Sequence, residues 1–366
     1  MNSDIRKKLL NGAKRIVVKV GTKLLVNAQG HLDQVRMTQL VEELRWLVES
    51  GYETILVSSG AIVTGLEALG LSKRPKELPK LQAAAAIGQG LLMHLYQETF
   101  SKHGVQIAQV LLTAQDLEER RRHLNAKNTF EALLAKKVVP IVNENDTVAV
   151  DEIKFGDNDQ LSALVANLVH ADLLIILTDQ EGFLKNGDVV RTIFEINEEI
   201  ETWAHRANDW KGIGGMQSKL EAARMMMRSG ESMMIANGFT KDILKMIFRG
   251  EEVGTFFISK NVKMSGKKRW IAHFVRPKGG LVLDEGAIEA VCQKRRSLLL
   301  PGILDIRGIF KKRDAVSLFD EKRYEVGRGE VAYSSEELKG MIEEKGKKNS
   351  KKAPSEVIHR DHLVIL

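Results

Sequence analysis

Two lysines stand where the sequence favours an anion. Lys19 occurs in Lys19-Val20-Gly21-Thr22 at the end of a β-branched run, and Gly21 would let a phosphate approach the backbone closely. Lys219 follows the glycine-rich sequence 212–215 and falls in the first turn of a predicted helix, where backbone amides can wrap phosphates. Taken alone, Lys19 is typical of an ordinary strand end. Together the two lysines indicate chemistry on a phosphate.

Small and polar residues also follow the other predicted strands. They occur in Val57-Ser58-Ser59-Gly60-Ala61, Asn143-Glu144-Asn145-Asp146, Gly156-Asp157-Asn158-Asp159 and Thr178-Asp179. Each cluster alone is explained by turn or capping duty. Such residues at every strand end are improbable by chance, and the carboxyl ends of parallel strands are where an open α/β sheet binds ligands. The sequence therefore predicts a substrate site at this edge of a sheet.

Several common chemistries are excluded by missing motifs. The sequence has neither a P-loop nor a dinucleotide glycine fingerprint, its nine histidines show no zinc spacing, and no serine lies in a nucleophile elbow. The lone Cys292 cannot form an internal disulfide, and no apolar run reaches the ~18 residues needed to cross a bilayer. We therefore expect a soluble cytoplasmic protein with no membrane partner and no metal held by its own side chains.

Short β-branched runs alternate with longer segments of helical period in the first part of the chain. The predicted strands cover residues 15–19, 54–57, 105–112, 138–142 and 173–177, and the predicted helices cover 34–49, 81–100, 115–137, 160–169 and 217–229. This alternation predicts an α/β fold, a three-layer αβα sandwich around a parallel sheet. Helix 81–100 contains the small residues 83–86 and Gly88, which suit close packing against another subunit or within the chain.

The pattern changes after residue 268. Short strands punctuated by glycine, at 280–283, 303–310, 315–318 and 330–333, predict a small C-terminal β-barrel. The last 106 residues hold 23 lysines and arginines against 15 acidic residues, whereas the preceding part is nearly neutral. We therefore predict two domains, residues 1–260 and 268–366. The basic excess favours a solvated surface, with RNA binding as the alternative interpretation.

The order and spacing of the motifs resemble the amino acid kinase superfamily. The segments that carry the resemblance are Val17-Val18-Lys19-Val20-Gly21-Thr22, Val57-Ser58-Ser59-Gly60-Ala61-Ile62, Val142-Asn143-Glu144-Asn145-Asp146, Lys154-Phe155-Gly156-Asp157-Asn158-Asp159, Leu177-Thr178-Asp179-Gln180 and Gly214-Gly215-Met216-Gln217-Ser218-Lys219. Residues 268–271, 284–287 and 299–303 resemble the start of the PUA domain that many bacterial members append. Nearly the whole chain is covered. The resemblance is most specific to members that phosphorylate the γ-carboxylate of L-glutamate in the first step of proline biosynthesis.

The resemblance implies a role for each site residue. Lys19 and Lys219 would flank the transferred phosphoryl group, and Asp159 would hold the lysines in place. Glutamate would be held by Ser59, Asp146 and Asn158. ATP would be bound by residues at the ends of two strands and at one helix start, namely Lys19, Thr178, Asp179, Gly214, Gly215, Met216, Gln217, Ser218 and Lys219.

Two departures from the family pattern concern the nucleotide. Ile213 stands where the family usually has threonine, and the loop 182–188 is shorter than the corresponding family loop. The contacts to the base and the ribose are therefore the part of the site that the resemblance defines least.

The resemblance also implies partners. These are Mg²⁺ carried mainly by the phosphates of ATP, proline as a feedback inhibitor, and a homo-oligomeric assembly. Two alternatives stay open: a kinase of the same superfamily acting on aspartate, N-acetylglutamate, carbamate or a nucleoside monophosphate, and an RNA-binding protein that acts through its C-terminal domain. The sequence 143–146 together with the PUA-like segments favours glutamate.

Overall fold

The computed structural model describes residues 2–27, 29–71, 73–149, 158–206, 215–345 and 356–366. The chain divides into two compact units, Met1–Lys263 and Met264–Leu366. Among the described helices, none combines the length and the apolar character needed to span a membrane.

Strands and helices alternate along the first unit. Its helices are α1 (Asn2–Gly12), α2 (Gln34–Glu49), α3 (Ala61–Ala68), α4 (Leu78–Ser101), α5 (Ala114–Glu118), α6 (Arg120–Ala135), α7 (Asn158–Val169), α8 (Glu198–Arg206), α9 (Met216–Arg228) and α10 (Ile243–Phe248). Its strands are β1 (Arg15–Val20), β2 (Glu53–Val57), β3 (Ile107–Leu112), β4 (Val139–Glu144), β5 (Leu173–Thr178), β6 (Leu184–Lys185), β7 (Asp188–Val189), β8 (Thr192–Ile193), β9 (Ser232–Asn237) and β10 (Thr255–Phe257).

Eight of the described strands form one sheet, in the order β3-β4-β2-β1-β5-β9-β10-β8. Neighbours from β3 to β9 run parallel, and β10 is antiparallel to β9. The chain builds the sheet on one side of β1 first and then crosses to the other side with β5. The carboxyl ends of β1 and β5 therefore form the switch point at which such sheets bind ligands.

Helices cover both faces of this sheet. Ile16, Val18 and Val20 of β1 join a core with apolar residues of α1, α2, α4 and α10. The alternate residues of β1 face the opposite layer, where α7 contacts β1 and β5 and packs between α6 and α9. The predicted three-layer αβα sandwich is confirmed.

Helix α4 packs closely on α3 within the chain. A Cβ atom added to Gly88 would lie 1.8 Å from the carbonyl oxygen of Ala61, and one added to Gly65 would lie 1.7 Å from the carbonyl oxygen of Ala84. The two helices therefore touch backbone to backbone, because neither glycine has a side chain. Of the two interpretations offered for Gly88, the structure supports packing within the chain.

Two sequence-based boundaries were wrong. The predicted helix 115–137 is interrupted at Glu119, whose backbone is extended, and α5 starts with a capping box formed by Thr113 and Asp116. The predicted strand 330–333 instead covers residues 325–330. Gly327 and Gly329 lie in that strand and contribute no side chain to the β-branched pattern by which strands are recognised.

The second unit is rich in strands. They are β11 (Gly279–Leu283), β12 (Leu298–Leu299), β13 (Ile303–Gly308), β14 (Ala315–Phe319), β15 (Glu325–Glu330), β16 (Glu356–Ile358) and β17 (Leu363–Ile365), with helices α11 (Gly266–Arg269), α12 (Glu285–Ile288) and α13 (Ser335–Lys345). Five of these strands form a sheet in the order β13-β11-β14-β15-β17. The unit has its own apolar core, which includes Leu281, Val316 and Leu363.

Candidate active site

Lys19, Asp159 and Lys219 form one buried ionic cluster. Lys19 Nζ lies 2.5 Å from Asp159 Oδ1, and Lys219 Nζ lies 3.0 Å from Asp159 Oδ2. The hydroxyl of Ser218 donates a hydrogen bond of 2.9 Å to the same Oδ2 atom. Asp159 is fully buried, and the lysines are only 4% and 5% exposed.

The fold explains how residues far apart in sequence meet here. Lys19 is on the strand face opposite to Val18 and Val20, so it projects toward the layer that contains α7 and α9. Asp159 lies in the first turn of α7, and Lys219 lies in the first turn of α9. Because the amino ends of both helices carry partial positive charge, they add to the cationic character of the cluster.

The cluster keeps its carboxylate ionised. Burial raises the pKa of Asp159, but the charges and hydrogen bonds of Lys19 and Lys219 outweigh burial and lower the pKa to about 2. Two ammonium groups therefore share one carboxylate, and the three side chains carry a net charge of one positive unit. Such a cluster can stabilise an anion that enters beside it.

A second group of polar side chains adjoins the ionic cluster through the Asn158–Asp159 peptide. The side-chain amide nitrogen of Asn158 donates to the carbonyl oxygen of Ser58 and to Ser59 Oγ, both at 2.8 Å. Asn143 Oδ1 lies 3.3 Å from the same nitrogen. Ser58 and Ser59 follow β2, Asn143 lies at the carboxyl end of β4, and Asn158 begins α7, so these residues line one end of the sheet.

Gly60 determines the direction in which Ser59 leaves β2. Its φ of 100° lies in the left-handed region, which glycine adopts without strain, and α3 begins at the next residue. Ser58, on the other side of Ser59, is bonded through its hydroxyl to the buried Tyr96 at 2.9 Å. The position of Ser59 is thus defined on both sides.

Thr178 and Asp179 lie at the carboxyl end of β5, on the nucleotide side of the predicted site. Lys23 Nζ contacts Asp179 Oδ2 at 2.7 Å, and the Thr178 hydroxyl donates to Asp179 Oδ1 at 3.2 Å. Partial burial raises the pKa of Asp179, but the bond to Lys23 outweighs it, so the pKa is lowered overall. The ends of β1 and β5 are therefore tied together at the switch point.

Not every predicted site residue joins these clusters. Gly215 caps α9, and Met216 and Gln217 lie in its first turn, so all three stand beside Ser218 and Lys219. Asp146 lies half-buried in the turn that follows β4. Gly214 lies outside the described residues, as do Asp157 and Ile213.

Sequence reasoning missed three residues that contact the predicted ones. Lys23 binds Asp179, Tyr96 binds Ser58, and Gln89 accepts a hydrogen bond from Asn143 Nδ2 at 2.9 Å. Gln89 could have been noticed in the sequence, because it is a polar residue directly beside the buried stripe of α4 formed by residues 84, 88, 92 and 96. The roles assigned to the predicted site residues stay predictions.

Sequence profiles of known families match both units. The profile of the amino acid kinase family matches residues 14–237, and that of the PUA domain matches residues 279–352.

Relatives match along nearly the whole chain. Glutamate 5-kinase of Moorella thermoacetica is 42% identical over 98% of this chain and 97% of its own length. Glutamate 5-kinase of Carboxydothermus hydrogenoformans is 44% identical over 98% of this chain and over its own full length. Glutamate 5-kinase of Thermus thermophilus is 43% identical over 96% of this chain and 97% of its own length. Among solved structures, the carbamate kinase of Giardia lamblia bound to AMP-PNP is 18% identical to this chain and superposes on it with a TM-score of 0.50. The match covers 68% of this chain and 99% of the carbamate kinase, so the two proteins share a fold.

Proposed function

The chain belongs to the amino acid kinase family, and on this premise we propose that it catalyses the glutamate 5-kinase reaction. The γ-phosphoryl group of ATP is transferred to the γ-carboxylate of L-glutamate, and γ-glutamyl phosphate forms as the first intermediate of proline biosynthesis. Relatives that carry this name match at 42–44% identity along nearly their full length. The alternative acceptors and the RNA-binding alternative have no comparable support.

The acceptor needs no general base. A γ-carboxylate is ionised at neutral pH, because the ordinary pKa of glutamate is about 4.3, and it is therefore already a nucleophile. The obstacle is repulsion between this carboxylate and the phosphates of ATP, together with the negative charge that spreads over the transferred phosphoryl oxygens. Catalysis of this step requires cations and backbone donors rather than a histidine.

The ionic cluster supplies those cations. We assign Lys19 and Lys219 to the two sides of the transferred group, since both ammonium groups already meet on one carboxylate. Asp159 orients them and compensates one of their charges before substrates bind. The amino end of α9, with Ser218 in its first turn, offers backbone amides to the ATP phosphates.

The adjoining polar group suits recognition of glutamate. The amide nitrogen of Asn158 is occupied by the Ser58 carbonyl and Ser59 Oγ, so its oxygen is the atom that can accept from a substrate ammonium. Ser59 accepts from Asn158 and can donate its hydroxyl proton to a substrate carboxylate. Asp146 supplies the opposite charge for the α-ammonium. Thr178, Asp179 and residues 214–219 are assigned to ATP.

A divalent cation accompanies ATP in kinases in general, and we propose Mg²⁺. The described residues contain no group of three or more His, Cys, Asp or Glu side chains that could hold a metal ion. Asp159 is engaged by two lysines and a serine. We therefore propose that the ATP phosphates carry the ion, where it neutralises phosphate charge.

We further propose that proline competes for the glutamate pocket, because it also carries an α-carboxylate beside an amine. The assembly is proposed to be a homo-oligomer, and the location cytoplasmic, in keeping with the free thiol of Cys292. Proline inhibition is tested by its effect on the apparent KM for glutamate, and assembly is tested by light scattering.

The observation that supports the proposal is the direct succession of Asn158 and Asp159, which places the proposed amino-acid pocket beside the proposed phosphoryl cluster. The test is to incubate the purified full-length protein with Mg-ATP and each candidate acceptor, and to trap any acyl phosphate with hydroxylamine. We expect hydroxamate from L-glutamate and little from aspartate, N-acetylglutamate or carbamate. Strong turnover of another acceptor with glutamate inert would overturn the assignment.

A further inference from the structure

The side chain of Gln89, on helix α4, contacts the residues that surround the proposed glutamate pocket. Gln89 Oε1 accepts a hydrogen bond of 2.9 Å from Asn143 Nδ2. Asn143 is 3% exposed and ends the buried part of β4, whereas Gln89 is half-buried. The bond therefore connects the helical layer to the strand end that carries the pocket.

Two backbone groups determine which atom of each amide faces which neighbour. The carbonyl oxygen of Ser58 can only accept, so the Asn158 atom that faces it at 2.8 Å is the nitrogen. The backbone N–H of Glu144 can only donate, so the Asn143 atom that faces it at 2.9 Å is the oxygen. Asn143 therefore turns its nitrogen toward Gln89, and Gln89 must present its oxygen.

The consequence of losing this acceptor follows from burial. Without Gln89 Oε1, the buried amide nitrogen of Asn143 lacks this acceptor, and a buried donor without a partner is unfavourable. Asn143 can relieve that penalty by moving its side chain. Such movement displaces Asn143 Oδ1, which lies 3.3 Å from Asn158 Nδ2 and helps to hold the amide that bridges to Ser59.

We propose that Gln89 is a positioning residue for the amino-acid pocket, acting through Asn143 on Asn158 and Ser59. It touches none of the reacting atoms of the proposed reaction. The inference rests on the proposed function, because it assigns the pocket of Ser59 and Asn158 to glutamate. Its signature is a change in the affinity for the acceptor, with the phosphoryl cluster of Lys19, Asp159 and Lys219 left intact.

Gln89→Met tests the proposal, because methionine has a similar length and lacks the acceptor. The matched control is Gln97→Met on the same helix, where the amide bonds to the exposed Ser101 at 2.9 Å. We expect Gln89→Met to raise the KM for glutamate about five- to tenfold, the factor that loss of one hydrogen bond in the usual range allows, and to leave kcat and the KM for ATP within twofold. Gln97→Met should match the wild type in the KM for glutamate, in kcat and in the KM for ATP.

Two further variants separate positioning from general damage. Gln89→Glu retains an acceptor oxygen, so its KM for glutamate should stay within threefold of the wild-type value. This variant can be measured even if Gln89→Met does not fold. In an Asn143→Ala background, Gln89→Met should add less than a twofold change, because its partner is gone. The inference would be overturned by an unchanged KM for glutamate in Gln89→Met, by additive effects in the double variant, or by equal losses in kcat and in the affinity for ATP.

A wild-type protein that phosphorylates another acceptor and not glutamate would refute the proposed function instead. The same comparison of KM values, made with that acceptor, would then test Gln89.

Discussion

Replacement of Lys219 by methionine removes one charge from the ionic cluster and keeps most of the side-chain volume. Lys219 is 5% exposed, and its ammonium lies 3.0 Å from Asp159. In the variant, the Lys19–Asp159 pair at 2.5 Å persists, so the net charge of the three positions changes from one positive unit to zero. The substitution therefore tests the charge that the transferred phosphoryl group is proposed to meet.

The size of the effect can be worked from the charge. A unit charge about 4 Å from another interacts by about 4 kcal/mol at an effective dielectric constant of about 20. Removal of one preorganised donor to a transition-state anion typically costs ~2.7–4 kcal/mol. We therefore expect kcat to fall ~100- to 1000-fold, with a smaller change in the KM for ATP.

The assay follows hydroxamate formation from glutamate at saturating Mg-ATP, alongside thermal unfolding of the same samples. Lys245→Met is the matched control, because it removes an ammonium that pairs with Asp242 at 2.6 Å at the start of α10. The control should retain kcat within twofold. A folded Lys219→Met protein that keeps kcat within tenfold of the wild type would refute the role given to this charge.

Three further outcomes are expected. Asp146→Ala should raise the KM for glutamate about tenfold or more and change kcat less, since contact with the α-ammonium is equal in ground and transition states; steady-state kinetics with kcat as the main loss would contradict this. The pKa of Asp159 is lowered from 3.8 to about 2, so its ion pairs stabilise the fold above pH 3.8 and are lost as the pH falls through about 2. The gap in urea midpoint between wild type and Asp159→Asn should accordingly stay constant from pH 8 to 5, and narrowing within that range would refute the reasoning. A chain that ends at Lys263, whose ammonium binds Asp172 at 2.8 Å and Glu231 at 3.2 Å, should still form γ-glutamyl phosphate; a fragment folded by circular dichroism yet inactive would show that the second unit contributes to the site.

Four strands of the central sheet were predictable because their apolar runs are buried. Each of β1, β2, β4 and β5 lies within two residues of its predicted bounds. The break at Glu119 was not predictable from period, because helical spacing continues across it and only the capping box of Thr113 and Asp116 marks the first helix. The strand with Gly327 and Gly329 was misplaced for lack of side chains to form a pattern.

The sequence named the three members of the ionic cluster, but their contact could not be predicted from it. Lys19 and Lys219 were identified from the residues around them, and the resemblance added the role of Asp159, but the contact of all three depends on the crossing of the chain at β1 and β5, which no local pattern reveals. Tyr96 was invisible for the opposite reason. It occupies the apolar stripe of α4 and is indistinguishable in sequence from an ordinary core residue until its hydroxyl is seen to meet Ser58.

The single peptide bond between Asn158 and Asp159 limits the length of the acceptor that can react. On the proposed function, Asn158 holds the amino-acid end and Asp159 holds the lysines that receive the phosphoryl group, so the span between them is set by covalent geometry at the start of a helix. Aspartate is shorter than glutamate by one methylene, about the length of one carbon–carbon bond, and reaction requires the attacking oxygen within about 3–3.5 Å of phosphorus. An acceptor one carbon short, seated by its amino group, would stop outside that distance. Glutamate is then distinguished from aspartate by the fixed distance between Asn158 and Asp159, and no side chain has to block the shorter acceptor.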